Sequence, residues 1–290
     1  MPTMKSTGGR LGRGARILVV LAVIAIVMVC SVGGFLASRS YTEQASVPFG
    51  TEDADSPDVV LMSMYITRVD VHDQSMTVEL DVSDDPVGGV SDGLTEYITV
   101  ETNSRRSSVV KFSEGDRFHT VIQEFAIGGS STDFPFDTYQ SFPAIQVLGA
   151  DGAPLPLEVT VSNGDAFFAV TPTLSPDQGW LSLTLKAERS VPTMVFGVFI
   201  MVLMLGLAAS AAVLASYVVR TRRGVEYGAY SVMAALLFAM VPLRNAIPGD
   251  PPIGSLIDFS AFFIAEAVIA VSLITSVVVG YRNQLSVDSR

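Results

Sequence analysis

Hydrophobic positions fall into two regimes along this chain. Four long apolar runs make up the first: Ile17–Ala37, Pro192–Val219, Tyr227–Leu243 and Ile257–Tyr281. Between the first run and the second, apolar and polar residues alternate with a period of two. A helix rises about 1.5 Å per residue, so about 20 apolar residues cross the roughly 30 Å of a bilayer's hydrocarbon. Ile17–Ala37 has 21 residues without a charge and Pro192–Val219 has 28. Ile257–Tyr281 also reaches, with Asp258 near its start and Glu266 inside. Tyr227–Leu243 has 17 residues and ends beside Pro242, so an interfacial or re-entrant segment competes with a crossing. For the first run a cleaved signal peptide competes with an uncleaved anchor. Its 21 apolar residues exceed the roughly 7–15 of a usual signal, which favours the anchor.

Basic residues orient these runs. Lys5, Arg10, Arg13 and Arg16 precede the first, Arg220, Arg222 and Arg223 follow the second, and Arg282 follows the last. The positive-inside rule places all three groups in the cytoplasm, and four crossings satisfy it. The expected layout is a basic tail (1–16), a first transmembrane helix (17–38), an acidic stalk (39–57) and an extracytoplasmic β-sandwich (58–190). Helices at 191–219, 227–243 and 257–281 follow, joined by a cytoplasmic loop (220–226) and an extracytoplasmic loop (244–256). A cytoplasmic tail (282–290) ends a multi-pass plasma-membrane protein.

Alternation is the argument for the β domain. Met76, Val78, Leu80 and Val82 point one way, and Thr77, Glu79 and Asp81 the other. Leu155, Leu157, Val159 and Val161 repeat the pattern, as do Leu181, Leu183 and Leu185. Period two marks half-buried antiparallel strands. Further strands are expected at Val59–Val71, Leu94–Glu101, Ser107–Phe112, Phe118–Ile127, Ala144–Leu148 and Ala166–Thr171. Asp151-Gly152 suits a hairpin between Ala144–Leu148 and Leu155–Val161. About nine short strands at this spacing predict a β-sandwich. The last runs through Glu188-Arg189-Ser190 directly into the second apolar run, so the domain should sit on the membrane.

Charge narrows the partners. The chain has a net charge of −11. Residues 39–190 hold 24 Asp/Glu against 8 Lys/Arg, while the rest holds 5 against 10. An acidic domain is not built for nucleic acid, which needs a basic face. The single cysteine, Cys30, lies inside the first apolar run, so no intramolecular disulfide forms. The partners expected are the lipid bilayer and either a homo-oligomer or a protein of the envelope.

Chemistry is sparse. His72 and His119 lie in or beside expected strands, and no metalloprotease, nucleophile-elbow or phosphate-loop motif is present. Glu52, Asp53, Asp55 and Asp58 lack the spacing and glycine of a calcium loop. The expectation is a non-enzymatic protein without cofactor or metal. Phe134-Pro135-Phe136-Asp137-Thr138-Tyr139 reads as a rigid loop, because Pro135 fixes φ and Asp137 can bond nearby backbone N–H groups. It is similar to the Phe-Pro-Phe-Asp loop of pentameric ligand-gated channels, which lies between receptor domain and pore. The chain departs from that family in having three apolar runs after the domain and no paired loop cysteines. The stretch from Arg244 to Gly254 contains Pro248, Gly249, Asp250, Pro251 and Pro252, and is expected to form a stiff seat for the β domain. Glu266 is an ionisable group inside an apolar run and a functional candidate for that reason. Arg244 is expected to pair with Asp258 or with Glu266.

The motif Phe134–Tyr139, the first apolar run and the segment from Val241 to Asp258 (VPLRNAIPGDPPIGSLID) together resemble the domain of unknown function 4436 family. These are membrane proteins, chiefly of actinobacteria. The likeness extends over nearly the whole chain beyond the N-terminal tail, with Pro242–Asp258 as its most specific part. The resemblance implies a plasma-membrane protein and carries no activity, cofactor or catalytic residue. The expected function is recognition of a partner or cell-envelope component by the β-sandwich. The alternative is a channel- or transporter-like protein gated by that domain.

Overall fold

A computed structural model describes residues 47–51, 59–82, 97–113, 119–175, 180–221, 225 and 227–288. The first apolar run, the basic tail and most of the acidic stalk lie outside the described residues, as do the four acidic residues between Glu52 and Asp58.

Eleven strands are described: β1 (Val47–Gly50), β2 (Val60–Asp70), β3 (Ser75–Val82), β4 (Ile98–Thr102), β5 (Val109–Phe112), β6 (Val121–Gly129), β7 (Thr138–Ser141), β8 (Ala144–Leu148), β9 (Leu157–Asn163), β10 (Phe168–Ser175) and β11 (Leu181–Arg189). They form a hydrogen-bonded path β1-β9-β2-β3-β6-β7-β11-β8-β4-β5, with β10 on the free side of β11. Strand β6 joins the two halves of this path. Its residues from Val121 to Ala126 pair with β3, and Ile127 to Gly129 pair with β7. The hand-over needs Gly129, because a Cβ there would fall on the Thr138 carbonyl oxygen and the Tyr139 ring. Both halves contribute to one core, which includes Met64, Ile66, Val78, Phe125, Ile145, Leu183 and Leu185. The alternation read in β3, β9 and β11 is the alternation of burial along those strands.

Three details differ from the sequence reading. The sheet is mixed, because β2 and β9 run parallel from Val60↔Leu157 to Ile66↔Asn163. The Asp151-Gly152 turn is tight but does not open a long hairpin. A bridge joins Leu148 to Pro154, and β9 then leaves for the other half of the path. Pro154 and Pro156 have no N–H to continue a ladder with β8. Two short strands were also missed. β1 lies within the expected stalk, and β7 lies partly within the expected Phe134–Tyr139 loop. Each spans four residues, too few for a period to register.

Three described helices are long and apolar enough to cross a membrane. They are α1 (Val191–Thr221), α2 (Tyr227–Asn245) and α3 (Phe263–Asp288). A π-helical turn, Asp258–Phe262, leads into α3. Helix α2 continues through Pro242 to Asn245, past the end its sequence suggested. Helix α1 packs chiefly on α3. Ala208, Ala211 and Ala215 are buried on α1, and Ala261 and Ala265 beside and within α3. Small side chains let helix backbones approach closely, and close packing drives association in lipid. β11 ends at Arg189 and α1 begins at Val191, with no flexible linker between sheet and bundle.

Candidate functional site at the sheet–helix junction

Period two along β11 puts Leu181, Leu183, Leu185, Ala187 and Arg189 on the buried face. The first four are apolar and the fifth is a cation. The Arg189 side chain has no exposed surface, and neither does its partner, Asp137. Arg189 Nε donates to both Asp137 carboxylate oxygens at 3.0 Å, and Nη2 donates to Oδ2 at 2.9 Å. The Tyr139 hydroxyl donates to the same Oδ2 at 2.8 Å. Arg189 Nη1 reaches across to the carbonyl oxygen of Gly249 at 3.3 Å. The guanidinium carbon lies 4.2 Å from the ring centre of Phe168 and 5.0 Å from that of Phe134. Charge-assisted, multiply bonded pairs of this kind are the strong ones, and stacking on aromatic faces adds to them.

Each partner comes from a different element. Phe134 and Asp137 come from the β6–β7 connection, Tyr139 from β7 and Phe168 from the start of β10. The β9–β10 loop is organised by Asp165, which accepts N–H bonds from Val69, Phe167 and Phe168. Ser190 fastens that loop to the head of α1: its N–H bonds the Phe167 carbonyl and its hydroxyl the Ala166 carbonyl. Burial pushes the Tyr139 phenol above its ordinary pKa, and the hydrogen bond to Asp137 adds to that rise.

Phe134 and Pro135 go further and pack on the bundle. Phe134 is fully buried and belongs to the helices' apolar cluster. A Cβ at position 197 of α1 would come within 3.3 Å of both Phe134 and Pro135, so Gly197 makes room for them. Position 197 is six residues past Val191, about 9 Å along the helix. Phe136 does not join the cluster and is 61% exposed.

The Pro/Gly loop has its own organiser. Arg244, near the end of α2, pairs with Asp258 through Nε–Oδ1 at 2.9 Å and Nη2–Oδ2 at 3.1 Å. Arg244 Nη2 also donates to the Pro251 and Pro252 carbonyls, and the Gly254 N–H bonds Asp258. The loop is thereby drawn tight, and it presents the Gly249 carbonyl to Arg189. Gly249 has φ of +81°, and a Cβ there would fall on Arg189 Nη1. Asp250 points away and is exposed, and Pro248 is half-buried beside it. Of the two partners expected for Arg244, the structure shows Asp258. Glu266 is half-buried and has no hydrogen bond or ion pair with any described residue.

The arrangement can hold parts together, and its charges are turned inward and mutually satisfied. Hydroxyls on α1 are also engaged locally. Ser210 and Ser216 bond the carbonyls of Gly206 and Ala212 in their own helix, and Thr193 bonds Ser190. His119 packs at a tilt against Phe112, and His72 is exposed in the β2–β3 turn. No group of three or more His, Cys, Asp or Glu gathers to hold a metal among the described residues. The sequence reading missed Arg189 and Gln123. Arg189 shares the parity of the β11 leucines, a signal that was available. Gln123 is fully buried with neither amide atom hydrogen-bonded to a described residue, beside a small cavity lined by Met62, Leu80, Val100 and Phe112.

Two family models match the chain, and their boundary falls at this joint. Residues 189–283 match a domain of unknown function, DUF8686. Residues 50–187 match another, DUF4436. No curated protein matches the chain. The segment Pro242–Asp258 lies in the first of these stretches, so the likeness to DUF4436 is narrower than the sequence reading drew it. The stretch that the domain of unknown function 4436 family matches is thus the β domain of this chain, residues 50–187.

Proposed function

We propose that the chain is a multi-pass plasma-membrane protein whose extracytoplasmic β-sandwich binds a partner or a component of the cell envelope. It works without an enzymatic step. The four apolar runs cross the bilayer, both termini are cytoplasmic, and residues 39–190 face outward. The observation that carries this reading is the Arg189 joint. It fastens the β6–β7 connection, β10 and the α2–α3 loop to the end of β11. A domain held this way is presented rigidly, and rigid presentation lowers the ordering cost of binding. The outward face of β2, β3 and β6 supports the reading too. Register places Tyr65, Glu79 and Ile122 in one cross-strand row there, and Tyr65 and Ile122 are 43% and 46% exposed.

A pore gated by the β domain is the second reading. The same joint favours it, because movement of the sheet would pull on α1 and on the α2–α3 loop together. The local hydrogen bonds of the α1 hydroxyls count against it, since a conducting path needs polar groups turned to the lumen.

Photo-crosslinking in living cells, from a benzophenone residue at position 65 or 122, separates the two. Binding predicts one discrete envelope component captured from both positions and none from Asp151 in the far turn. It also predicts no potassium or proton flux above empty vesicles after reconstitution. Flux through the wild-type protein that is lost in Glu266→Gln would overturn binding in favour of the pore.

A further inference from the structure

We propose that α3 is a docking face for a transmembrane helix of a different protein, and that Glu266 pairs there with a basic side chain of that helix. This goes beyond what the β domain binds and does not depend on it. The ionisable groups nearby are matched: Arg189 with Asp137, and Arg244 with Asp258. Glu266 lies eight residues past Asp258, about 12 Å along the helix, and has no such partner among the described residues. It sits half-buried at the edge of the packed face, beside Phe262 and Leu273, while Ala265 and Ile269 enter the core itself.

The surface around Glu266 is apolar and open. Phe259, Phe263 and Val277 share its side of the helix and are 64%, 41% and 43% exposed. Ala267 and Ala270 flank it and leave room for a close helix. An ionisable side chain turned to hydrocarbon is unfavourable, and such groups persist where something pairs with them.

No described residue supplies a counter-charge to Glu266. None of the four apolar runs contains Lys, Arg or His, so a second copy of the chain brings no cation to that depth. A metal ion would need further ligands, and no group of three or more His, Cys, Asp or Glu gathers among the described residues. Charge complementarity therefore selects a helix bearing Lys or Arg.

The test uses the full-length protein in lipid vesicles, with a fluorescent protein fused after Arg290. The probe is an acceptor-labelled Leu/Ala peptide of roughly 22 residues, carrying one Lys at the depth of Glu266. Energy transfer should show this peptide associating at least tenfold more tightly than its Lys→Leu control. The preference should vanish in Glu266→Gln, which keeps the side chain's shape. Equal association of the two peptides with the wild type would overturn the proposal, as would a Lys preference that survives in Glu266→Gln. A peptide copying residues 257–281 that binds as tightly as the Lys peptide would also overturn it, pointing to carboxyls shared between copies.

Discussion

Arg189 concentrates the energetics of the joint, because a fully buried charge is tolerated only while its partner remains. Removing either member of such a pair costs about 3–5 kcal/mol, since the other is left uncompensated. Arg189→Ala and Asp137→Ala should each lower stability by about that much, read by urea unfolding of the full-length protein. Trp180, the sole tryptophan, reports the β domain. The double variant Asp137→Leu/Arg189→Leu should lose less than either single change, because no orphan charge remains. Tyr139 adds a pH dependence. Burial, then the bond to Asp137, raises its pKa. Its contribution is therefore full below the unfolded value of about 10 and is lost as pH rises from there toward the folded value. Stability of the wild type should fall more steeply above that pH than stability of Tyr139→Phe. Equal slopes would remove Tyr139 from the account. These roles were only partly legible in the sequence. Asp137 and Tyr139 stood in a conspicuous motif, but their partner is 52 residues away from Asp137. A single arginine in Glu188-Arg189-Ser190 looks like ordinary polar punctuation before a membrane helix.

At the scale of elements, strand alternation was legible wherever a strand was long and one-sided. β3, β9 and β11 bury every second residue, so their parity could be read directly. It was lost in β1 and β7, which have four residues each and are recruited by the register of longer neighbours. The parallel pairing of β2 with β9 was not legible either, since alternation gives the face of a strand and not its neighbour. Strand β6 shows the limit from the other side. Its inward positions are Gln123, Phe125 and Ile127, and the first is polar. Both amide atoms of Gln123 lack partners among the described residues, and an unmet buried polar group costs about 1–3 kcal/mol. Gln123→Met keeps the volume and removes the polar atoms. It should stabilise the domain by about 1 kcal/mol, measured by the same Trp180 unfolding. A loss of stability would show that the amide is bonded in solution, for example through a water in the adjoining cavity.

The whole molecule poses a question that helix length and charge answer together. Three described helices are long enough to cross, but α2 is the least apolar, with a mean hydropathy of 1.3 against 2.6 and 2.4 for the others. The sequence left it between a crossing and an interfacial segment, and its extension to Asn245 gives it 19 residues, close to the about 20 of an ordinary span. Connectivity adds a second argument. Arg244 at the end of α2 and Asp258 at the head of α3 hold the intervening loop against Arg189, beside the head of α1. The end of α2 and the start of α3 therefore lie at the β-domain end of the bundle. Thr221 and Tyr227, with basic residues between them, lie at the other. If α2 crosses, positions 133 and 250 share one side of the membrane and the end of α3 takes the opposite side. This is checked in a Cys30→Ala background with single cysteines at exposed positions, Asp133→Cys, Asp250→Cys and Ser286→Cys. A membrane-impermeant thiol reagent added to intact cells should label the first two and leave the third untouched until the membrane is opened. Labelling of Asp133→Cys and Ser286→Cys in intact cells, with Asp250→Cys protected, would mean that α2 returns to the side it came from. The basic residue Arg282 would then lie outside, against the positive-inside rule.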